Sequence, residues 1–132
     1  MPNIRSLASL LLVCGAAFGT PLVVFPEASL PAFAHEMAGY LRLLYRDARK
    51  SGTDVVLGVL RMDEQERAYN SVLALGEEVQ WYAKDRLVPF AEFFPVPGFV
   101  LQVLNLPYGD FTRGGENQPP LRAAGLKLAA SI

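Results

Sequence analysis

Few side chains in this sequence could carry out chemistry at neutral pH. Cys14 is the only cysteine and His35 the only histidine among 132 residues. The sequence therefore offers almost no residues for a Cys–His pair in nucleophilic catalysis or for a cysteine and histidine cluster that binds a metal ion. The acids Asp63, Glu64 and Glu66 are typical of a helix start. No glycine-rich phosphate loop is present. The residues therefore predict no catalytic set and no metal site, and a protein that is not an enzyme.

One carboxylate, Glu92, has a candidate role because it lies in an apolar stretch between Pro89 and Pro97. An ionisable group at membrane depth is a functional candidate. The alternative is that Glu92 faces a lipid headgroup boundary or pairs with Lys84 or Arg86, which precede it by a few residues. The short separation in sequence favours this alternative.

The apolar residues, which make up 52% of the chain, are concentrated in two blocks. The first block, residues 7–25, contains no charge and approaches the length of about 20 residues that crosses a hydrocarbon core. Gly15 and Gly19 within it form a pattern of small residues that lets another helix pack closely. A secretory signal peptide cleaved after Ala34 is the alternative interpretation. The net charge of −1 gives no reason to expect nucleic acid as a partner.

The charged middle of the chain shows helical spacing of apolar residues. Ser29 is predicted to begin a helix as its N-cap, and residues 51–52 are predicted to end it. A short apolar helix follows over residues 55–60. Asp63 then caps a longer helix, with Glu66 completing a capping box. The buried stripe of that helix is formed by Tyr69, Val72, Leu75, Val79 and Tyr82.

The second apolar block, residues 87–107, contains prolines that a plain spanning helix would avoid. The block is predicted to span as a kinked helix within an assembly or to dip in from the interface. Trp81, Tyr82 and Lys84 precede it and are predicted to anchor the chain at the lipid headgroups.

These patterns together predict an all-α integral membrane protein with four parts. Residues 1–28 form an N-terminal transmembrane helix, and residues 29–86 form an amphipathic helical hairpin. Residues 87–107 form a Pro-kinked second membrane segment, and residues 108–132 form a polar loop with a short tail.

Residues 35–97 resemble the first half of the domain of the LETM family, the leucine-zipper and EF-hand-containing transmembrane proteins of the mitochondrial inner membrane. His35-Glu36, the run from Tyr40 to Asp47 and the run from Asp63 to Arg67 carry the resemblance in order. The most specific motif is the entry to the membrane segment, formed by Arg86, Leu87, Val88, Pro89, Phe90, Phe93, Val96 and Pro97. The chain departs from the family in lacking a glutamate shortly after Pro97.

The resemblance implies a location in the mitochondrial inner membrane. Combined with two apolar segments and no catalytic set, it predicts a non-catalytic accessory subunit of a respiratory complex or ATP synthase. The predicted partners are other membrane-protein subunits and the lipid bilayer, without nucleic acid. No cofactor is predicted, although a membrane segment could bind lipid. The alternatives are LETM-like cation/proton exchange through Glu92, and a secreted or lumenal helical protein behind a signal peptide.

Overall fold

The computed structural model describes residues 12–14, 21–93, 95 and 110–132. These residues form strands and one helix. In chain order the elements are β1 Leu12–Cys14, β2 Leu22–Val24, β3 Leu30–Phe33, α1 Ala38–Ser51, β4 Asp54–Met62, β5 Ala68–Leu75, β6 Val79–Ala83, β7 Leu121–Ala123 and β8 Leu126–Leu128. The described part of the chain is therefore mostly β-sheet.

The first six strands form one sheet around β4. Strands β4, β5 and β6 pair antiparallel as consecutive hairpins. Strands β2 and β3 both run parallel to β4 along its other edge, with Leu22 opposite Asp54 and Phe33 opposite Leu60. The connection between β2 and β3, residues 25–29, interrupts this pairing and lies beside the middle of β4.

Side chains of the central strands alternate between the two faces of the sheet, and both faces are buried. One face packs against α1 and is formed by Val55, Leu57, Val59, Leu73 and Leu75, with Ala48 of the helix. The other face packs against the β7–β8 hairpin and is formed by Leu22, Val56, Val72 and Ala74, with Leu121, Ala123 and Ala124. The sheet is therefore the middle layer between a helix and a hairpin.

Helix α1 ends where the sequence predicts. Arg49 and Lys50 occupy its last turn, and Gly52 follows in the left-handed conformation with φ of 65°. Its start differs from the prediction, since the helix begins at Ala38 rather than near Ser29. The Ser29 hydroxyl instead donates a hydrogen bond to the Gly58 carbonyl of β4 at 3.0 Å.

The all-α prediction is wrong for the region after α1. The predicted helix over residues 55–60 is the middle of β4, and the predicted helix from Asp63 is a hairpin leading into β5. The Asp63 carboxylate accepts hydrogen bonds from the backbone N–H groups of Gln65 and Arg67 at 3.0 and 2.9 Å, which closes that hairpin. Because β4 and β5 are buried on both faces, their sequences lack the alternation that identifies a half-buried strand.

The predicted membrane helices are not found in the part of the chain that the structure describes. No helix there is long and apolar enough to cross a bilayer. Of the predicted N-terminal helix, Leu12–Cys14 and Leu22–Val24 are strands, while Gly15 and Gly19 lie outside the described residues. Residues 87–93 of the second segment contain a turn and no helix.

Candidate functional site

A buried lysine lies at the end of the sheet, on the face opposite α1. Lys84 follows β6 directly and is 6% exposed. Its ammonium nitrogen Nζ lies 3.2 Å from Glu27 Oε1 and 3.0 Å from Glu92 Oε2. Lysine is almost never fully buried unless it is paired. The two carboxylates therefore account for its position in the interior.

Glu27 reaches Lys84 because the connection between β2 and β3 lies directly against β4. A Cβ atom added to Gly58 would lie 2.6 Å from the Ala28 nitrogen and 2.8 Å from the Glu27 Cα atom. Only glycine leaves room for such a close backbone approach. Ala28 itself has φ of 48°, which turns the chain at this point. The missing side chain of Gly58 thus allows Glu27 to lie over the face that carries Lys84.

Glu92 reaches Lys84 from the other side through a turn formed by residues 88–93. The Glu92 N–H donates to the Val88 carbonyl at 2.9 Å, and the Val88 N–H donates to Glu92 Oε2 at 2.9 Å. The Glu92 carbonyl accepts a hydrogen bond from the Phe111 N–H at 2.9 Å. With a side chain only 11% exposed, Glu92 is fixed as the buried charge partner of Lys84.

Asn70 of β5 completes the group, which we call the Lys84 cluster: Glu27, Asn70, Lys84 and Glu92. The Asn70 Nδ2 atom donates to Glu27 Oε1 at 2.7 Å and to Glu92 Oε1 at 2.8 Å. Its backbone carbonyl accepts from the Lys84 N–H at 2.8 Å. Antiparallel neighbours place their side chains on the same face of a sheet, which explains why Asn70 and Lys84 meet.

The two carboxylates differ in accessibility. The Glu27 side chain is 45% exposed, whereas that of Glu92 is 11% exposed. Both donors to Glu27 contact Oε1. Oε2 of Glu27 has no hydrogen-bond partner within the described residues. Glu27 can therefore accept a proton from a bound molecule, while Glu92 balances the charge of Lys84.

Ionisation of the Lys84–Glu92 pair is favoured by its surroundings. Burial alone would lower the pKa of Lys84, but hydrogen bonds to Glu92 and Glu27 raise it above its ordinary 10.5. Burial would raise the pKa of Glu92, but hydrogen bonds from Asn70, the Val88 N–H and Lys84 lower it below its ordinary 4.5. Stability from the pair is therefore lost as the pH falls through the lowered pKa of Glu92, or rises through the raised pKa of Lys84.

Alanine at position 58 is expected to displace the Glu27 connection. The added methyl group would meet backbone atoms, which cannot move aside as a flexible side chain can. We expect Gly58→Ala to lower the free energy of unfolding by about 1–3 kcal/mol. Denaturant unfolding of the full-length wild-type and variant proteins measures this change.

The matched control for Gly58→Ala is Gly39→Ala. Gly39 lies in α1 and has nothing within 4 Å of an added Cβ atom. Alanine there is expected to be neutral or to stabilise the helix by about 0.5–1 kcal/mol. Equal effects of the two substitutions would contradict the steric role of Gly58.

The structure brings together only some of the candidate site residues predicted from the sequence. Lys84, a predicted lipid anchor, is buried, and Glu92 pairs with it as the alternative interpretation holds. Trp81 packs on the α1 side and Tyr82 on the hairpin side of the sheet. Of the predicted membrane motif, Arg86 to Phe90 and Phe93 lie in and before the turn that carries Glu92, while Val96 and Pro97 lie outside the described residues.

Two members of the Lys84 cluster, Glu27 and Asn70, are not among the candidate site residues predicted from the sequence. Glu27 is the only charged residue between Arg5 and Glu36, and it follows Pro26 directly. Asparagine is depleted in strands, so Asn70 beside an apolar run was a second signal. Within the described residues, no group of three or more His, Cys, Asp or Glu side chains could hold a metal ion.

Comparison with known proteins gives a consistent set of relatives. No family model matches the chain. It is 41% identical over 117 residues to the apolipoprotein N-acyltransferase of Chromobacterium violaceum and 43% identical over 116 residues to that of Methylococcus capsulatus. Each match covers 84% of this chain and 23% of the relative. The chain thus spans about a quarter of the length of these relatives.

A weaker likeness is to a solved structure. The crystal structure of an N-terminal amidase matches 56% of this chain and 21% of its own, with 20% identity and a TM-score of 0.40.

The relatives overturn several predictions made from sequence. They are bacterial proteins similar to most of this chain, so the LETM family and the mitochondrial inner membrane are both wrong. The relatives bear the name of an enzyme, so the prediction of a non-catalytic subunit of a respiratory complex or ATP synthase is also wrong. The alternative of LETM-like cation exchange fails with the family on which it depended.

Proposed function

We propose that this chain supplies catalytic groups of a bacterial N-acyltransferase that acts on apolipoproteins. The observation that carries the proposal is the ion-paired Lys84, buried between a fixed carboxylate, Glu92, and an accessible one, Glu27. The names of the relatives supply the reaction class, which is transfer of an acyl group to nitrogen.

Acyl transfer needs a group that accepts a proton and a positive group that stabilises negative charge. As the attacking group forms a bond to the acyl carbon, it must lose a proton. The acyl carbonyl oxygen meanwhile becomes an oxyanion, which a preorganised hydrogen-bond donor or cation stabilises. Both kinds of group lie within one hydrogen bond of each other in the Lys84 cluster.

Glu27 is the proton acceptor in this proposal. Its Oε2 atom takes the proton of the attacking group as the new bond to the acyl carbon forms. The same proton is then delivered to the leaving group, whose bond to the acyl carbon breaks. Glu27 ends the step as the carboxylate with which it began, so that atoms and charge balance.

Lys84 is the oxyanion-stabilising group. An ammonium carries three hydrogens, and two of them are directed to Glu27 and Glu92. The third can be donated to the developing oxyanion. Because Lys84 is held by two carboxylates, its charge is in place before the reaction begins and needs no reorganisation.

The direct test is an acyl-transfer assay of the protein as its gene encodes it. The purified protein is incubated with a radiolabelled fatty acyl donor and an apolipoprotein with a free amino terminus. We expect label in the apolipoprotein, and none in a matched apolipoprotein whose amino terminus is already acetylated. Absence of label from the free-amine apolipoprotein with every acyl donor tried would overturn the proposal.

A further inference from the structure

Asn70 is the one uncharged side chain in the Lys84 cluster, and it is 6% exposed. It lies on β5, a strand that both β4 and β6 hold by paired backbone hydrogen bonds. Of the four cluster side chains, only Asn70 comes from the interior of a regular element. Its backbone is therefore held by neighbouring strands on both sides.

The amide of Asn70 holds both carboxylates through a single nitrogen. Nδ2 lies 2.7 Å from Glu27 Oε1 and 2.8 Å from Glu92 Oε1. An amide nitrogen has two hydrogens, one for each carboxylate, whereas the amide oxygen could only accept. The orientation of the amide is thus set by its neighbours. Its Oδ1 atom is buried, with no partner in the part of the chain that the structure describes.

Asn70 and Lys84 hold the same two carboxylates from two sides, so the four groups form a closed ring of hydrogen bonds. In that ring Glu27 Oε1 receives both Asn70 Nδ2 and Lys84 Nζ. Without Asn70, the Glu27 side chain could rotate and present either oxygen to the ammonium. With Asn70, Oε1 is occupied twice and Oε2 is left to accept a proton.

From this ring we infer that Asn70 is a positioning residue, which orients Glu27 against Lys84 and keeps Oε2 of Glu27 free for the acyl-transfer step. The inference rests on the proposed function. Asn70 itself is not proposed to contact the reacting atoms. It acts through the two carboxylates to which it donates.

The test uses the protein as its gene encodes it, with asparagine replaced by leucine, which has a similar shape and no donor. We expect Asn70→Leu to lower kcat by about 10- to 100-fold, since a misplacement of about 1 Å can cost that much. KM should stay within about twofold, because Asn70 is not proposed to touch the substrate.

The pH profile provides a readout that a merely structural role would not move. The charged side chains that the described part of the structure places in contact with Asn70 or Glu92 include Glu27, from the β2–β3 connection, and Lys84, after β6. Loss of the Asn70 hydrogen bond raises the pKa of Glu92, because that bond helps to lower it. A protonated Glu92 no longer holds Lys84 in an ion pair, so the stabilising cation is no longer fixed in place. The acidic limb of kcat against pH should therefore move to higher pH in Asn70→Leu.

Gln80→Leu is the matched control, since Gln80 also lies on the sheet and exchanges two hydrogen bonds with the backbone of Arg122. It is expected to leave the acidic limb unchanged.

If Asn70→Leu does not fold, Asn70→Asp replaces it. Aspartate has an oxygen in place of the amide nitrogen, and it cannot donate a hydrogen bond when the carboxyl group is ionised. Its kcat should fall at neutral pH and recover in part toward acid pH, where a protonated acid again donates.

The outcomes separate this inference from the proposed function. An active wild-type protein whose folded Asn70 variant keeps its kcat and acidic limb overturns the role of Asn70 alone. A wild-type protein that transfers no acyl group overturns the proposed function, and this inference with it. A lowered kcat, an unchanged KM and a shifted acidic limb in the Asn70 variant, together with an unshifted limb in Gln80→Leu, support the inference.

Discussion

Replacement of Lys84 by methionine is expected to lower kcat for acyl transfer by at least about 1,000-fold, since removal of one oxyanion-stabilising donor alone costs about 100- to 1,000-fold. Methionine fills a similar volume but has no charge and no N–H. The loss also leaves Glu27 and Glu92 facing each other without the cation that lies between them. Steady-state kinetics over a range of donor concentrations measures kcat and KM separately.

The same substitution should destabilise the fold, which must be separated from its effect on the reaction. Breaking a buried ion pair by removing one partner costs about 3 kcal/mol, because the remaining charge is buried and unpaired. The double variant Lys84→Met/Glu92→Gln removes both charges and should recover much of that stability. It should not recover activity. Recovery of acyl transfer in the double variant would contradict the role assigned to Lys84.

Part of the fold could be predicted from local sequence, and α1 shows why. Its end depends on Arg49, Lys50 and Gly52, which act through the helix dipole and the left-handed backbone conformation within a single turn. The strands depend on partners far along the chain. Val55 to Val59 of β4 are buried on both faces by α1 and by the β7–β8 hairpin, so their sequence shows a plain apolar run.

The hairpin between β4 and β5 shows how one residue can favour two local structures. The sequence predicts that Asp63 caps a helix, because its carboxylate can accept hydrogen bonds from N–H groups two or three residues ahead. It does accept such bonds, from Gln65 and Arg67, but in a turn between strands. These hydrogen bonds, with further ones from the side chains of Arg67 and Tyr69, outweigh the effect of burial and lower the pKa of Asp63 to about 2. The side-chain chemistry was predictable, but the element that uses it was not.

The site was predictable only where its members are close in sequence. Lys84 and Glu92 are eight residues apart, and the sequence indicates their pairing as an alternative to a membrane position. Glu27 lies 57 residues from Lys84, so only the pairing of β2, β4, β5 and β6 brings them together. The residues from Arg86 to Phe93 also explain the mistaken family. Their sequence predicts an entry into the bilayer, but they form the turn that returns Glu92 to Lys84.

Glu27→Gln is expected to lower kcat by about 1,000-fold while leaving the fold nearly intact. The amide oxygen of glutamine can still accept from Asn70 and Lys84, so the ring of hydrogen bonds is retained, but the side chain can no longer take up a proton. KM should change by less than about threefold, because the lost interaction acts on the proton in the transition state. Glu64→Gln, at an exposed position of the β4–β5 hairpin, is the control for loss of one negative charge and should retain wild-type kcat. Steady-state kinetics with circular dichroism tests both variants, and a folded Glu27→Gln protein within tenfold of wild-type kcat would show that another group accepts the proton.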